Sequence, residues 1–149
     1  MNDECNPNLG DPIIAGIDEA GRGPLAGPVT AACVVLPAGF SHQLIRDSKK
    51  LTAKQRETAY RTITENAIAW SAVAVGNRRI DRINIREATK LAMKLAAQRV
   101  EQKLRALGHG EPIRFLIDGN MKFSDGDNEE PIIKGDSKIM QISAASIIA

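Results

Sequence analysis

The sequence predicts an α/β domain in which helices cover the faces of a β-sheet. Short apolar, β-branched runs bounded by glycine and proline are typical of strands, and longer runs with apolar residues every three or four positions are typical of helices. The two kinds of run alternate along the chain, as in α/β proteins. The 149 residues are 43% hydrophobic and 26% charged. This composition is that of a globular domain with its own core, and it excludes a disordered or disulfide-rich chain.

Five strands are predicted, each bounded by polar, glycine or proline residues. Residues 1–12 are rich in Asn, Asp, Gly and Pro, and we expect them to form a flexible segment before a single domain at 13–149. The strands are expected at residues 13–17, 29–36, 70–75, 113–117 and 132–133. The polar, acidic stretch 119–130 is expected to be a loop.

Three helices are predicted from apolar spacing and from start and stop signals. Thr52 followed by Gln55 is a capping-box pattern, which predicts a helix from there to about Asn66. Apolar residues at steps of three and four predict a long helix over 85–107, and Gly108 is the expected stop. The apolar run 139–149 predicts the last helix.

Acidic residues follow the ends of three predicted strands. Asp18 and Glu19 follow the first strand, Asp118 the fourth and Asp136 the short fifth. If these strands are neighbours, the carboxylates meet at one edge of the sheet. Carboxylates this close repel one another, so such an arrangement is kept only where a positive group neutralises them. Divalent cations prefer oxygen ligands, and two of them about 3.5–4 Å apart form the clamp for in-line phosphoryl transfer. The alternative is that each acid is only a turn former or a helix cap.

The glycine-rich turn after the first acidic pair is a candidate ligand-binding loop. Gly21-Arg22-Gly23 fits neither the dinucleotide-binding pattern nor the P-loop pattern. Glycine allows the backbone to approach a ligand closely, and Arg22 could donate two hydrogen bonds to a phosphate. The alternative interpretation is a tight hairpin turn.

Basic residues give weaker indications. Lys49 and Lys50 precede the capped helix. Their positive charges and the N-terminus of the helix would both favour contact with a phosphate. The alternative is an exposed lysine pair in contact with solvent only. The arginines between positions 78 and 86 are interpreted as a solvated face. The net charge of +2 is too small to indicate nucleic-acid binding by itself.

Cysteine usage and hydropathy predict a cytoplasmic protein. Cys5 and Cys33 are far apart and in no metal-binding spacing, which is typical of a reducing compartment. The N-terminal residues have no apolar segment of the signal-peptide type, and no apolar run is long enough to span a membrane.

Four stretches, in order along the chain, resemble the ribonuclease HII family (type 2 ribonucleases H). The first is IAGIDEAGRGPLAGPV at 14–29, and it is the most specific of the four. The others are DSKKL at 47–51, LIDGN at 116–120, and KGDSK at 134–138 leading into ISAASIIA at 142–149. The resemblance covers most of the chain from about residue 13 onward.

The resemblance implies a ribonuclease-H-like fold with a central mixed five-stranded sheet flanked by helices. It implies endonucleolytic cleavage of RNA in RNA–DNA hybrids, and at ribonucleotides embedded in duplex DNA, as in ribonucleotide excision repair. Asp18, Glu19, Asp118 and Asp136 match the family's metal-binding carboxylates, with Mg²⁺ or Mn²⁺ as the expected two-ion cofactor. Gly21-Arg22-Gly23 matches the motif that reads the ribose 2′-hydroxyl. The products would carry 5′-phosphate and 3′-hydroxyl ends, and the protein is expected to be a monomer.

Members of this family usually extend beyond the point that corresponds to Ala149. We therefore expect that the family's C-terminal part is missing, that metal binding survives and that cleavage is weak or absent. One alternative is a truncated, non-catalytic domain that binds hybrid duplex. Another is a different phosphoryl-transfer enzyme on a similar sheet, which would need a nucleotide-phosphate loop that the sequence does not offer.

Overall fold

The computed structural model describes residues 11–21, 27–46 and 48–149, so residues 1–10 of the predicted flexible segment 1–12 lie outside the described residues. The strands are β1 (Ile13–Ala20), β2 (Val29–Val35), β3 (Ala69–Val75), β4 (Ile113–Asp118) and β5 (Glu129–Ile132). The helices are α1 (Gln43–Arg46), α2 (Ala53–Asn66), α3 (Asn77–Ala106) and α4 (Met140–Ile148). Two 3-10 turns, Ser48–Lys50 and Gly135–Ser137, precede α2 and α4.

The strands form one mixed sheet in the order β3-β2-β1-β4-β5. β2 runs antiparallel to both β1 and β3, whereas β1, β4 and β5 pair in parallel. Only β2 therefore runs against the others, and the carboxyl ends of β1, β3, β4 and β5 lie at the same edge. The predicted α/β class and the mixed five-stranded sheet are confirmed.

Helices cover both faces of this sheet, as the sequence predicts. α3 packs on one face against inward-pointing residues such as Ile17 and Phe115. On the other face, α2 and α4 enclose a second core that contains Val34, Ile63 and Ala144. Because side chains alternate along a strand, the residues of β1 and β4 that face α4 are the even-numbered ones, and these include Asp18 and Asp118.

α4 can lie directly on β1 because residue 16 is glycine. A Cβ atom at Gly16 would come within 2.3 Å of the backbone carbonyl carbon of Gln141. No side chain fits in that space, so the backbones of strand and helix are in contact. This contact brings the start of α4, and the 3-10 turn before it, next to the end of β1.

α3 begins earlier than the spacing predicts. It starts at Asn77 and is broken at Asn84, which has φ 71°. The side chain of Asn84 accepts a hydrogen bond from the backbone N of Glu87 at 3.0 Å, so a new helical segment starts where the sequence predicts one. The first segment was missed because only Ile80 and Ile83 anchor it to the core. No described helix is long and apolar enough to cross a membrane.

Two strands, β1 and β5, differ from the sequence prediction by more than one residue at one end. β1 continues to Ala20, so Asp18 and Glu19 lie inside the strand instead of after it. β5 starts at Glu129, within the predicted loop, and ends at Ile132. Parallel pairing of Phe115 with Glu129 extends the sheet there, and local sequence does not reveal a pairing of this kind.

Glu129 organises the loop between β4 and β5. It is 4% exposed and accepts hydrogen bonds from the backbone N of Phe123, Ser124 and Gly126, and from the Ser124 hydroxyl. Burial alone would raise the pKa of this carboxyl. The hydrogen bonds from Ser124, Gly126 and Phe123 outweigh burial, and the pKa is lowered.

We predict that Glu129→Gln destabilises the protein by about 1–3 kcal/mol near pH 7, because an amide cannot accept all four hydrogen bonds. A lowered folded-state pKa means that the charged form stabilises the fold above the unfolded-state pKa and that this contribution is lost as the pH falls. The stability difference from wild type, measured by urea unfolding, should therefore shrink as the pH falls below the ordinary pKa of 4.5.

Glu130→Gln is the matched control for this prediction. Glu130 is exposed and pairs with Arg114 at 2.6 Å, so its loss should change stability by less than about 1 kcal/mol. Equal effects of the two substitutions, or a Glu129→Gln effect that does not vary with pH, would contradict the assigned role of Glu129.

Candidate metal centre

Three carboxylates from separate parts of the chain meet at the carboxyl edge of the sheet. One oxygen atom from each of Asp18, Asp118 and Asp136 lies within 4.8 Å of the other two. Ile17 pairs in parallel with Ile117, so Asp18 and Asp118 occupy the next positions on neighbouring strands and face the same side. The register of β1 with β4 therefore determines the distance between these two acids.

The 3-10 turn before α4 supplies the third carboxylate. Lys134 adopts a left-handed conformation (φ 55°) that starts the turn, and Gly135 is buried against Ile142 of α4. The backbone N of Asp136 donates a hydrogen bond to Oδ1 of Asp118 at 3.2 Å. The turn is thus attached directly to the end of β4, which places the Asp136 side chain beside the other two acids.

Burial and mutual repulsion make this cluster unfavourable in its fully ionised form. Asp18 is only 4% exposed. Loss of hydration on burial, followed by the negative charge of Asp118, raises the pKa of Asp18 to about 8. Glu19 and Asp136 raise it further, and a hydrogen bond from the backbone N of Glu19 at 2.8 Å opposes the shift. At neutral pH the cluster therefore favours a proton or another cation.

The donor set fits a divalent cation. All three groups offer carboxylate oxygen, which is the ligand type that Mg²⁺ and Mn²⁺ prefer. The oxygens already lie close together, and Asp136 remains 22% exposed at the side chain, so a cation has access from solvent. Asp18, Asp118 and Asp136 are the residues that would hold it.

Glu19 does not join the three acids. Its carboxylate lies outside the group of oxygens within 4.8 Å of one another, because neighbouring residues on β1 point to opposite faces. It still acts electrostatically on Asp18, since it contributes to the raised pKa of that residue. The structure therefore brings together three of the four predicted acids and places the fourth beside them.

Gly21 occupies a position that requires glycine. Its φ is +90°, and a Cβ atom there would lie 2.3 Å from the carbonyl oxygen of Pro28. The chain immediately after β1 therefore lies close to its own backbone at Pro28, which fits the alternative of a tight hairpin turn, and the predicted approach to a ligand stays a prediction. Arg22 and Gly23, the other members of the predicted loop, lie outside the described residues.

Lys49 lies next to the three clustered acids, and Lys50 is the next residue of the same 3-10 turn. The Nζ atom of Lys49 is 3.8 Å from Oδ1 of Asp136, and its side chain is 58% exposed. Lys50 is exposed and makes no ion pair with any described residue. The structure thus places Lys49, but not Lys50, in contact with one of the acids.

Sequence reasoning missed the buried pair that holds this turn. The hydroxyl oxygens of Ser48 and Ser143 are 2.8 Å apart, and Ser143 also donates to the carbonyl oxygen of Ile45. This contact ties the Lys49 turn to α4, which also carries the Asp136 turn at its start. Two serines 95 positions apart give no local signal, so only the fold reveals the pair.

Comparison with known proteins agrees with this geometry. A model of the ribonuclease HII family matches residues 15–149. The chain is 46% identical over 137 residues to Ribonuclease HII of Francisella philomiragia subsp. philomiragia and 50% identical over 137 residues to that of Rickettsia bellii. The alignments cover 92% of this chain and 70% and 65% of those relatives.

A solved structure of similar fold is the ribonuclease H2 from Pyrococcus horikoshii OT3. It superposes with a TM-score of 0.71 at 25% sequence identity, over 91% of this chain and 69% of that one. This chain thus spans 65–70% of the length of these relatives. The match extends over the sheet, α4 and all three clustered acids, and we conclude that the chain belongs to the ribonuclease HII family.

Proposed function

We propose that this chain is a metal-dependent endonuclease that cleaves the RNA strand of RNA–DNA hybrids and cuts at ribonucleotides embedded in duplex DNA. The observation that carries the proposal is the convergence of Asp18, Asp118 and Asp136 at the carboxyl edge of the sheet. Membership of the ribonuclease HII family supports the substrate class. The expected products carry 5′-phosphate and 3′-hydroxyl ends.

The three acids would hold two Mg²⁺ or Mn²⁺ ions, and Glu19 is included as a fourth ligand on the family resemblance alone, since its carboxylate lies outside the three-acid group. The bound ions would supply an activated water and stabilise the leaving oxygen in an in-line displacement. Asp18 is fixed on β1 and Asp118 on β4, so these two carboxylates need little movement to serve as ligands. Lys49, which is exposed beside Asp136, is suited to hold a phosphate oxygen of the substrate strand.

Recognition of RNA at this site is assigned to the loop after β1. The 2′-hydroxyl distinguishes RNA from DNA, and a backbone that comes close to the sugar can hydrogen-bond to it. Gly21 begins this loop, and its place in the substrate-binding set also rests on the family resemblance, because its close contact is with the backbone of Pro28. We include Arg22, Gly23 and Lys50 in the proposed substrate-binding set on the family resemblance alone.

The cellular setting is also a proposal. Cys33 is a buried free thiol, and burial raises its pKa, so it is an unreactive core residue suited to a reducing compartment such as the cytoplasm. We also propose that the protein acts there as a monomer that repairs ribonucleotides in DNA, and membership of the ribonuclease HII family supports the repair role.

The direct test is nicking of a DNA duplex that contains one ribonucleotide, with Mn²⁺ or Mg²⁺, at high protein concentration. We predict metal-dependent nicking at the ribonucleotide, however slow, and no nicking of the all-DNA duplex. Asp118→Asn should lower the rate by about 100-fold or more because it removes a ligand shared by the site. Asp127→Asn, an exposed acid in the loop after β4, is the control and should retain the wild-type rate.

Two results would contradict the proposal in different ways. Binding of the hybrid without any nicking would favour the alternative of a non-catalytic hybrid-binding domain. Nicking that survives Asp118→Asn would show that the three-acid cluster is not the reaction centre.

The raised pKa of Asp18 predicts how metal and pH affect stability. Below a pH of about 8 the folded protein retains a proton that the unfolded chain releases above about pH 4, so stability without metal should fall as the pH rises across this range. Mg²⁺ should replace the proton, and the increase in melting temperature that it causes should be larger near pH 8 than near pH 6.

Asp118→Asn provides the comparison for this measurement. Removal of the negative charge beside Asp18 should make the metal-free protein as stable as wild type or more so near pH 8, with a weaker pH dependence. Thermal unfolding in EDTA and in excess Mg²⁺ measures both effects. Unfolding of the Asp118→Asn variant under all conditions would show instead that Asp118 has a structural role.

A further inference from the structure

The first part of α3 concentrates the positive charge of the protein. Residues 77–94 contain six basic and two acidic residues, a net charge of +4, whereas the whole chain carries +2. The remainder of the chain is therefore net negative, by two charges. Four arginines make up most of the excess, at positions 78, 79, 82 and 86, and we call them the α3 arginines.

The α3 arginines are exposed, and none has an ion-pair partner among the residues that the structure describes. The one ion pair in this stretch joins Lys90 to Glu87 at 3.9 Å. Arg78 and Arg82 are four positions apart on one helix face, where like charges repel and destabilise the helix. No ion pair among the described residues offsets this repulsion, whereas a bound polyanion would.

The helix that carries these arginines is fixed in place. Ile80 and Ile83 pack against the main core, so the opposite side, with Arg78 and Arg82, faces solvent. The break at Asn84 ends this first segment, and the capping hydrogen bond to Glu87 starts the next one. Arg78, Arg79 and Arg82 lie on the first segment and Arg86 on the second, so all four are carried by folded helix.

The first segment of α3 starts at the edge of the sheet where the acids meet, although α3 packs on the face of the sheet opposite to the acids. Asp18 is in register with Ala32 of β2, and Ala32 is in register with Ala72 of β3. β3 runs in the same direction as β1 and continues three residues past this row to Val75, after which α3 begins. Strand spacing places β3 roughly 10 Å to the side of β1, so a duplex that lies across this edge could contact the acids on one face and the start of α3 on the other.

Among partners, a nucleic-acid duplex fits these features best. Its backbone presents phosphates at close, regular spacing, and arginine binds phosphate with two parallel hydrogen bonds. We propose that the α3 arginines bind the phosphate backbone of the duplex beside the cleavage site and extend the contact beyond the three-acid cluster. The inference rests on the proposed function for the identity of the partner, but the phosphate contact itself needs no ribose and no particular sequence.

The experiment measures binding of a fluorescein-labelled, all-DNA duplex by fluorescence anisotropy in EDTA, at salt concentrations from about 50 to 200 mM. Each lost phosphate contact lowers the slope of log affinity against log salt concentration by about 0.9. We expect Arg78→Gln/Arg82→Gln to reduce the slope by about 1.5–2 and to weaken binding at every salt concentration. Arg79→Gln/Arg86→Gln should act similarly and gives a second variant if the first does not fold.

The matched control is Arg61→Gln/Arg99→Gln, which removes the same charge from exposed helix positions outside the α3 arginines. Its slope should equal that of wild type. Equal slopes for the arginine variants and wild type would overturn the inference. The inference would also be overturned if the control reduced the slope as much as the arginine variants do. Binding of an acidic poly-glutamate peptide that depends on Arg78 and Arg82, with unchanged DNA binding, would also overturn it and identify a protein partner instead.

Cleavage of the ribonucleotide-containing duplex, assayed separately, keeps the two proposals distinguishable. A reduced salt slope in a chain that never nicks would leave this inference standing and contradict the proposed function. Normal nicking with an unchanged slope would contradict this inference alone.

Discussion

The parallel pairing of β1 with β4 is the constraint on which the site depends. This register places Asp18 beside Asp118 on the same face of the sheet, and the sheet buries Asp18 almost completely. Two like charges held this close would separate if they were on mobile loops, but backbone hydrogen bonds across the sheet hold them. The raised pKa of Asp18 results from its burial and from repulsion by Asp118, and a bound divalent cation would offset that repulsion.

Close packing of α4 on β1 brings the third acid to the other two. Gly16 leaves room for the backbone of Gln141, and the turn that precedes α4 hydrogen-bonds through Asp136 to Asp118. The Ser48–Ser143 contact then links the same helix to the turn that bears Lys49. α4 thus positions the Asp136 carboxylate and the Lys49 ammonium group beside the end of β1, although neither residue is close to β1 in sequence.

Local signals predicted the elements better than their boundaries or contacts. The capping box at Thr52 and Gln55 is present as predicted, and the second segment of α3 begins where the apolar spacing indicates. The start of β5 at Glu129 and the end of β1 at Ala20 depend on pairing with distant strands, which local spacing does not reveal. The acids were found because each follows an apolar run that is visible in the local sequence. The separation of Glu19 from the other three was not predicted, because β1 continues through Glu19 and neighbouring strand residues point to opposite faces.

The most direct test of the central claim is the position of Mn²⁺ in crystals of the protein soaked with the ion. An anomalous difference map should show Mn²⁺ bound by carboxylate oxygens of Asp18, Asp118 and Asp136. Manganese peaks only at other places on the surface, or Asp136 turned away from Asp18, would contradict the account.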